Sequence, residues 1–516
     1  MGRDDAKAQG AASLSVRTLH GAAWQTVATS SQAVMQLLVL AVLARYLSPR
    51  DFGLVAVSQV FTGILQLVAE AGVWGAVVQR TTLTRGHLRA AYLVSAVFAF
   101  VLVGAFWVLT PPFARFFHAE ELVLLLRVMS VYILLNGWSL VSRARLERDM
   151  DFKRLCLLDS GSYLFGYAAV AIAGCLLGWG VWALAVAILT RAALFTVLVG
   201  IARRPMLGRF SRAELGELLN FGTGFTIGRV LDYFAWQADY LVVGRLLGVP
   251  ALGFYQRAYE LMELPGRYLG KVAEKVLFAS MSQLQTRREL LARAFARTVE
   301  ISSLMVLPAT AYIALMAPEI VRVMYGDRWL PVVPVLQVLL LTPLFRTAGR
   351  VAEALARATG AVYGNAGRKA LAVAAVVGGA WLGQRWGIIG VAWGVGGAIV
   401  FSALLQLQLA LSRTGLGWRA LARCTLGAVS VSLAGMAAAG PVTLLLRWME
   451  TPPLVVLVAS GVAGLAAVTL LARLRPSALG ESGPWLMERA AAAFPAWGRV
   501  AAAARLASRP VRAGSK

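Results

Sequence analysis

Two stretches of this sequence set ionisable residues at spacings that line one side of a helix. Arg229, Asp232, Trp236 and Asp239 follow one another at steps of three and four; Arg257, Glu260, Leu264, Arg267, Lys271 and Glu274 do the same. Residues at such steps are neighbours on a helical surface. A guanidinium offers a planar fork that binds two oxygens at once, so Arg229, Arg257 and Arg267 are candidate holders of a diphosphate. A carboxylate in a low-dielectric place can exchange a proton near neutral pH, which makes Asp232, Asp239 and Glu260 candidates for ion or proton coupling. The same residues could instead pair with each other, Arg229 with Asp232 and Arg257 with Glu260, and simply join helices. Against pairing alone stands the reach of the second stripe, roughly 26 Å at a helical rise of about 1.5 Å per residue, most of a bilayer. Pro265 interrupts that stripe and frees a backbone carbonyl. Upstream, Gln25, Gln32 and Gln36 share one face, and Gln59 and Gln66 share another with Glu70 a turn on. These amides and the carboxylate suit either hydrogen bonds between helices or contact with sugar hydroxyls.

The elements that carry these residues must be membrane spans. Of 516 residues, 59% are hydrophobic and 15% charged, with mean hydropathy +0.69, where a soluble chain has about 45–50% and about 25%. The sequence predicts an all-α membrane protein of about 14 transmembrane helices, near 20–44, 53–78, 90–110, 121–142, 155–177, 181–201, 218–244, 253–278, 294–317, 333–355, 369–384, 388–411, 421–440 and 454–473. The first begins too late and runs too long for a cleaved signal peptide. Residues 1–19 are expected to form a short cytoplasmic arm. The net charge of +25 is spread among the spans, which argues against nucleic-acid binding. With the N-terminus cytoplasmic, the opposite-side loops hold only Arg45, Arg50, Arg115, Arg245, Arg322, Arg328, Arg385 and Arg447 of the 50 Lys and Arg. The positive-inside rule then puts both termini in the cytoplasm. The basic run Arg143–Arg154 is the clearest inside marker.

The chain also repeats itself. Arg45-Tyr-Leu-Ser-Pro-Arg-Asp-Phe-Gly53 resembles Arg245-Leu-Leu-Gly-Val-Pro-Ala-Leu-Gly253, 200 residues on; Ala114–Phe117 resembles Val321–Met324 and Trp179-Gly180 resembles Trp386-Gly387, both 207 residues on. Six spans per unit make the two copies parallel, related by an axis along the membrane normal. The expected division is an N-lobe at 20–205 (spans 1–6), an inter-lobe cytoplasmic linker at 206–217, a C-lobe at 218–411 (spans 7–12), two extra spans within 421–473 and a basic cytoplasmic tail at 474–516.

Enzymatic and cofactor signatures are missing. There is no Walker A sequence, no CxxC and no His pair at ligand spacing, so no cofactor, metal site or catalytic residue is expected. Asp149-Met-Asp151 has the form of a transferase metal pair but sits in a short loop with no domain around it. Gly174–Gly178 and Gly379–Gly383 have small-residue spacings suited to helix packing.

The stretch Asp239–Pro265, with Asp239-Tyr-Leu-Val-Val-Gly-Arg-Leu-Leu-Gly-Val-Pro-Ala-Leu-Gly-Phe-Tyr-Gln-Arg-Ala-Tyr-Glu at its heart, resembles the hallmark of Wzx-type polysaccharide flippases of the multidrug/oligosaccharidyl-lipid/polysaccharide exporter superfamily. Leu43–Gly53 resembles the end of that family's first span, and the likeness is strongest in the colanic-acid-exporter branch. It implies a V-shaped pair of lobes in the bacterial cytoplasmic (inner) membrane. It also implies alternating-access transfer of an undecaprenyl-diphosphate-linked oligosaccharide from inner to outer leaflet for polysaccharide export. Arg229, Asp232, Asp239, Arg257 and Glu260 match the family's cavity residues in kind. Expected partners are the lipid-linked oligosaccharide, membrane lipid, H⁺ or Na⁺, and other polysaccharide-assembly membrane proteins. The full substrate-binding expectation is Arg229, Arg257, Arg267, Gln25, Gln59 and Glu70. A multidrug antiporter of the same superfamily is the nearest alternative, but its cationic drugs would be repelled by these arginines. A peptidoglycan-precursor flippase is a related option. A membrane glycan polymerase or ligase belongs to another class and generally carries a large periplasmic loop; the longest here, near 318–332, is short and His118 is the only histidine expected on that side.

Overall fold

The computed structural model describes residues 31–480 except 33, 71–72, 81, 207, 209–213, 218–232, 235, 268–287 and 360–361, together with Gly483. The described residues are helical almost throughout. Nine stretches among them are long and apolar enough to cross a membrane, ten if one bent pair is a single span. The protein is a multi-pass membrane protein. It divides into two compact units, Met1–Gln256 and Arg257–Lys516.

In the first unit, α1 (Val34–Tyr46) leads into α2 (Pro49–Glu70). Ser48 and Asp51 stabilise the turn between them: the Ser48 amide and hydroxyl both donate to the Asp51 carboxylate, at 2.8 and 2.6 Å. A single helix is expected over 53–78; the described part of that stretch is helical, as α2 up to Glu70 and as α3 over Val73–Gln79. Next come α4 (Arg85–Phe116) and α5 (Leu122–Arg148). The basic run at 143–154, expected as a loop, is helical up to Arg148 because its arginines have acceptors. Arg148 donates to the Val77 and Arg80 carbonyls at the end of α3 (2.8 and 2.7 Å), and Arg143 pairs with Glu147 at 3.0 Å. The tight turn that follows uses Asp149 and Asp151 structurally: Asp149 accepts from Arg203 at 2.6 Å, and Asp151 caps the next helix through the Arg154 amide.

That helix, α6 (Phe152–Gly161), passes through a π turn at Ser162–Ala168 into α7 (Ala169–Leu176), and α8 (Val181–Ala202) returns beside it. Gly166 lets the two approach closely, since a Cβ there would lie 2.6 Å from the Arg191 Cα. Asp159 and Arg191, two ionisable residues inside spans, pair at 3.0 Å. Gly174 packs against Ala183, whereas Gly178 makes a turn at φ +73° with nothing beside it, so only the first glycine of that pair serves helix packing.

Helix α9 (236–246) and α10 (Val249–Pro265) complete this unit, α10 running on into the second. A Cβ on Gly53 would lie 2.0 Å from the Val249 carbonyl oxygen, and one on Gly253 would lie 1.9 Å from that of Pro49. The contact is reciprocal at an offset of 200, as in a two-fold pair. Likewise Gly180 just before α8 and Gly387 at the start of the helix Gly387–Thr414, 207 apart, have similar positive φ, +55° and +67°.

The second unit holds α11 (Arg288–Leu315), α12 (Ala317–Met324), α13 (Val332–Leu339), α14 (Pro343–Ala358), α15 (Val362–Gly383), α16 (Gly387–Thr414), α17 (Trp418–Trp448) and α18 (Pro453–Leu474). Helices α15 and α16 form a hairpin whose glycines meet backbone to backbone, Gly379 against Gly394 and Gly383 against Gly390. The last two helices are fixed to the unit by polar ties as well as apolar packing. Arg447 forms a two-pronged pair with Glu319 (2.7 and 2.8 Å), Tyr312 donates to the Leu457 carbonyl at 2.6 Å, and Thr443 donates to Ser460 at 2.9 Å.

Residues 214–217 dock on the N-terminus of α4. Thr84 caps that helix and donates to Glu214 at 2.9 Å, while Glu217 meets Arg80 and His87. Two carboxylates at a helix N-terminus also complement its dipole. The hydrogen bond from Arg80, then that from His87, holds the Glu217 carboxyl below the usual carboxylate range. A lowered native pKa stabilises the docked form above the ordinary carboxylate pKa and loses that contribution as pH falls through the lowered one. Amide protection at 214–217, measured against the intrinsic exchange rate at each pH, should therefore stay constant from neutral pH into the ordinary carboxylate range and drop only below it. Glu217→Gln should exchange faster at neutral pH and show no such step; an unchanged profile in that variant would contradict this role.

Candidate functional site

Helix α14 is two-faced. Ala348, Val351, Ala352 and Leu355 pack in a core with Phe295 and Val299 of α11 and Leu407 and Leu411 of α16. The opposite side carries Arg346, Arg350, Glu353 and Arg357. Burying the apolar stripe thus fixes where the charged one points. Between α13 and α14 the span breaks at residues 340–342 and bends by 44°. Pro343 starts the second half, where its missing N–H costs nothing. Thr342 at the break donates to the Leu339 carbonyl at 2.8 Å.

Helix α10 ends at Pro265 and passes into π geometry at 266–267. Arg350, two turns into α14, donates to the Gly266 carbonyl just past Pro265 at 3.3 Å. One turn before, Glu263 accepts from Arg267 at 2.6 Å and from Arg346 at 3.1 Å. Arg346 also contacts the Tyr259 hydroxyl and lies over that ring, 4.9 Å from its centre. Broken spans with polar groups at the break are where transporters bind their cargo.

Arg257, the next basic residue along α10, has a buried side chain, 7% exposed, and pairs with Glu260 at 2.8 Å; Glu260 is 39% exposed. The Arg257–Glu260 pairing foreseen in the sequence is present. Tyr325 lies fully buried with no hydrogen-bond partner for its hydroxyl among the described residues, and the charges of Arg257 and Glu260 act on it.

In the first unit, Asp239 is 2% exposed, and its carboxylate accepts from the Tyr255 hydroxyl at 2.9 Å and from the Tyr240 amide at 3.0 Å. Tyr240 and Tyr255 meet edge to face, 5.9 Å apart. On α2, Gln66 donates to Glu70 at 3.2 Å, and Gln59 is exposed. Tyr233 lies against Gly63 and donates to the Val60 carbonyl at 3.0 Å. Gln25, Arg229 and Asp232 lie outside the described residues, as do Lys271 and Glu274. The structure therefore brings Arg257 to Glu260 and Arg267 to Glu263. Glu263, Arg346 and Arg350 join the candidate set without having been singled out from sequence. The step test that found the stripe on α10 also finds Arg346, Arg350, Glu353 and Arg357 on α14. No group of His, Cys, Asp and Glu that could hold a metal occurs among the described residues.

A family model described as polysaccharide biosynthesis protein matches residues 42–334, more than half of the chain and including Arg257 of α10 and Arg267 just past it. This chain belongs to the polysaccharide biosynthesis protein family. Among relatives, the lipopolysaccharide biosynthesis protein WzxC of Escherichia coli is 25% identical over 74% of this chain and 78% of its own length. The succinoglycan biosynthesis transport protein ExoT of Rhizobium meliloti is 25% identical over 62% and 65%, and the teichuronic acid biosynthesis protein TuaB of Bacillus subtilis 23% over 69% and 75%. In fold, this family member is similar to the lipid II flippase MurJ in its inward closed conformation (TM-score 0.71, 14% identity, 87% of this chain and 98% of that one). It is also similar to an inward-facing multidrug resistance MATE family transporter of the MOP superfamily (TM-score 0.61, 17% identity, 73% and 93%).

Proposed function

We infer that this protein is a flippase that moves an undecaprenyl-diphosphate-linked oligosaccharide from the inner to the outer leaflet of the bacterial cytoplasmic membrane, for polysaccharide export. The observation that carries this reading is the family match over 42–334, joined to relatives named for lipopolysaccharide, succinoglycan and teichuronic acid assembly. The chemistry fits. A carrier of this cargo must bind a diphosphate and sugars away from lipid while the prenyl chain stays in it. Guanidiniums on α10, just past its end and on the broken span's α14 supply charge-assisted hydrogen bonds for oxyanions. Arg229, Arg257 and Arg267 hold the diphosphate, with Gln25, Gln59 and Glu70 toward the sugars.

In this reading about 14 helices form two parallel six-helix lobes and two further helices, in a V that opens alternately to each side. The lobes are 20–205 and 218–411, joined by the linker 206–217. The glycine pairs 53/253 and 180/387 support such a duplication. Asp232, Asp239 and Glu260 are the coupling candidates for H⁺ or Na⁺. An inside-negative potential alone favours outward movement of an anion by about 2.3 kcal/mol per charge per 100 mV. A multidrug antiporter is the competing reading, favoured by the MATE-like fold; Arg257, Arg267, Arg346 and Arg350 disfavour a cationic drug.

Proteoliposomes of the purified protein test the reading. A fluorescent undecaprenyl-diphosphate oligosaccharide should cross only when the protein is present, and a cationic dye should not; dye transport without lipid transport would reverse the assignment. Both termini are cytoplasmic in this account. Alkaline phosphatase fused after Tyr46 or Arg328 should be active, and after Arg148 or Arg209 inactive. The opposite pattern would overturn the orientation.

A further inference from the structure

Glu263 occupies an unusual position for a carboxylate in a span. Its two oxygens are taken by separate guanidiniums, Oε2 by Arg267 just past α10 and Oε1 by Arg346 of α14. Arg346 is itself fixed from behind, by the Tyr259 hydroxyl and ring. Arg267 is the open side of the group, 45% exposed, while Glu263 is 20% and Arg346 13% exposed. Two converging guanidiniums, one rigid and one accessible, form the arrangement that recognises a phosphate or a carboxylate. Glu263 already fills it with an oxyanion of the protein's own.

We propose that Glu263 is a resident stand-in for an oxyanion of the cargo, displaced from Arg267 and Arg346 when the cargo binds and returning when it leaves. The proposal rests on the flippase reading above. Release asks little of the fold, because Glu263 near the end of α10 and Arg267 in the π turn after it are four residues apart and a side-chain rotation separates them. The tethered carboxylate competes at high effective concentration with any anion that offers only one contact. Free phosphate or a nucleotide is thereby kept out, and only a cargo with further contacts along the site displaces it. After delivery Glu263 re-covers the arginines, so the emptied site does not retain the diphosphate. The incoming oxyanion is either the diphosphate of the lipid carrier or the carboxylate of an acidic sugar, groups with the same acceptor chemistry.

The sign of one substitution separates this from a purely structural role. If Glu263 only holds the arginines in place, Glu263→Gln weakens anion binding; if it competes, the same change strengthens it. Binding to the full-length protein in nanodiscs is measured with two probes, sugar-free undecaprenyl diphosphate and a lipid-free glucuronate-containing oligosaccharide. Glu263→Gln should tighten one of them by about tenfold, the worth of one charge-assisted contact, and the probe that tightens names the source of the oxyanion. Adding Arg346→Gln should abolish the gain. Glu263→Asp, which keeps the charge but shortens its reach, should tighten the same probe less, and its sign decides the matter if Glu263→Gln does not reach the membrane. Unchanged or weaker binding of both probes overturns the stand-in. Wild-type proteoliposomes are assayed in parallel: if they translocate labelled lipid-linked oligosaccharide while the variants fail to tighten, only the stand-in falls. If they translocate none, the flippase reading falls and the stand-in with it.

Discussion

Arg257→Ala should stop polysaccharide export while leaving the protein in the membrane in near-normal amount. The carboxylate it leaves behind, Glu260, is 39% exposed, so it can find water or another cation and the fold suffers little. Transport loses a charge-assisted contact of about 1.5–3 kcal/mol, or about one to two decades in affinity for the diphosphate. The reverse truncation should behave differently. Glu260→Gln takes a carboxylate away from a guanidinium that is only 7% exposed, and removing the partner of a buried charge is the more destabilising of the two changes. Arg257→Lys should restore export in part, since an ammonium carries the charge without the fork. Export assays beside membrane immunoblots check the set, with Arg229→Ala expected to match Arg257→Ala. Full export by Arg257→Ala would make this arginine a packing residue.

Gly253→Ala should lower the thermal stability of the detergent-solubilised protein, and Gly53→Ala should do the same. The added methyl group in each case meets a backbone carbonyl at 1.9–2.0 Å. No side-chain rotation relieves that, so α2 and α10 must move apart, at about 1–3 kcal/mol. The two substitutions strain one contact from its two sides, and a single separation relieves both. The double variant should therefore fall well short of the summed losses, as expected for residues that share a contact. Additive losses would mean the glycines act separately and the reciprocal geometry carries no shared energy.

The fold class was legible because lipid leaves a plain imprint on composition: long apolar stretches and few charges can only be membrane helices. The offset of 200 was legible as well, and Gly53 and Gly253 show why the resemblance exists, since each must lack a side chain for the other's helix to pass. Element ends were less so. Helix α5 outruns its apolar stretch because Arg148 has backbone carbonyls to cap. Hydropathy records the solvent around a helix but not the partners at its ends. On α10, spacing alone matched Arg257 to Glu260. Glu263 also lies at a step of three from Glu260 and four from Arg267, but the count ran through Leu264 instead, and its importance comes from Arg346, more than eighty residues away. Arg346 was passed over because its span reads as apolar: the core face of α14 and the hydrophobic α13 mask a charged face that appears only when the helix is viewed end on.

The central claim is that this protein carries lipid-linked oligosaccharide across the membrane. In a strain deleted for its gene, lipid-linked oligosaccharide should accumulate with its sugars facing the cytoplasm. It should be protected from a membrane-impermeant glycosidase in intact spheroplasts and cleaved in inverted vesicles, and a plasmid copy should restore outward exposure. Mass analysis of the accumulated lipid would identify the sugars as well. If the deletion strain instead displays its lipid-linked oligosaccharide on the outer face at the wild-type rate, this protein is not its flippase.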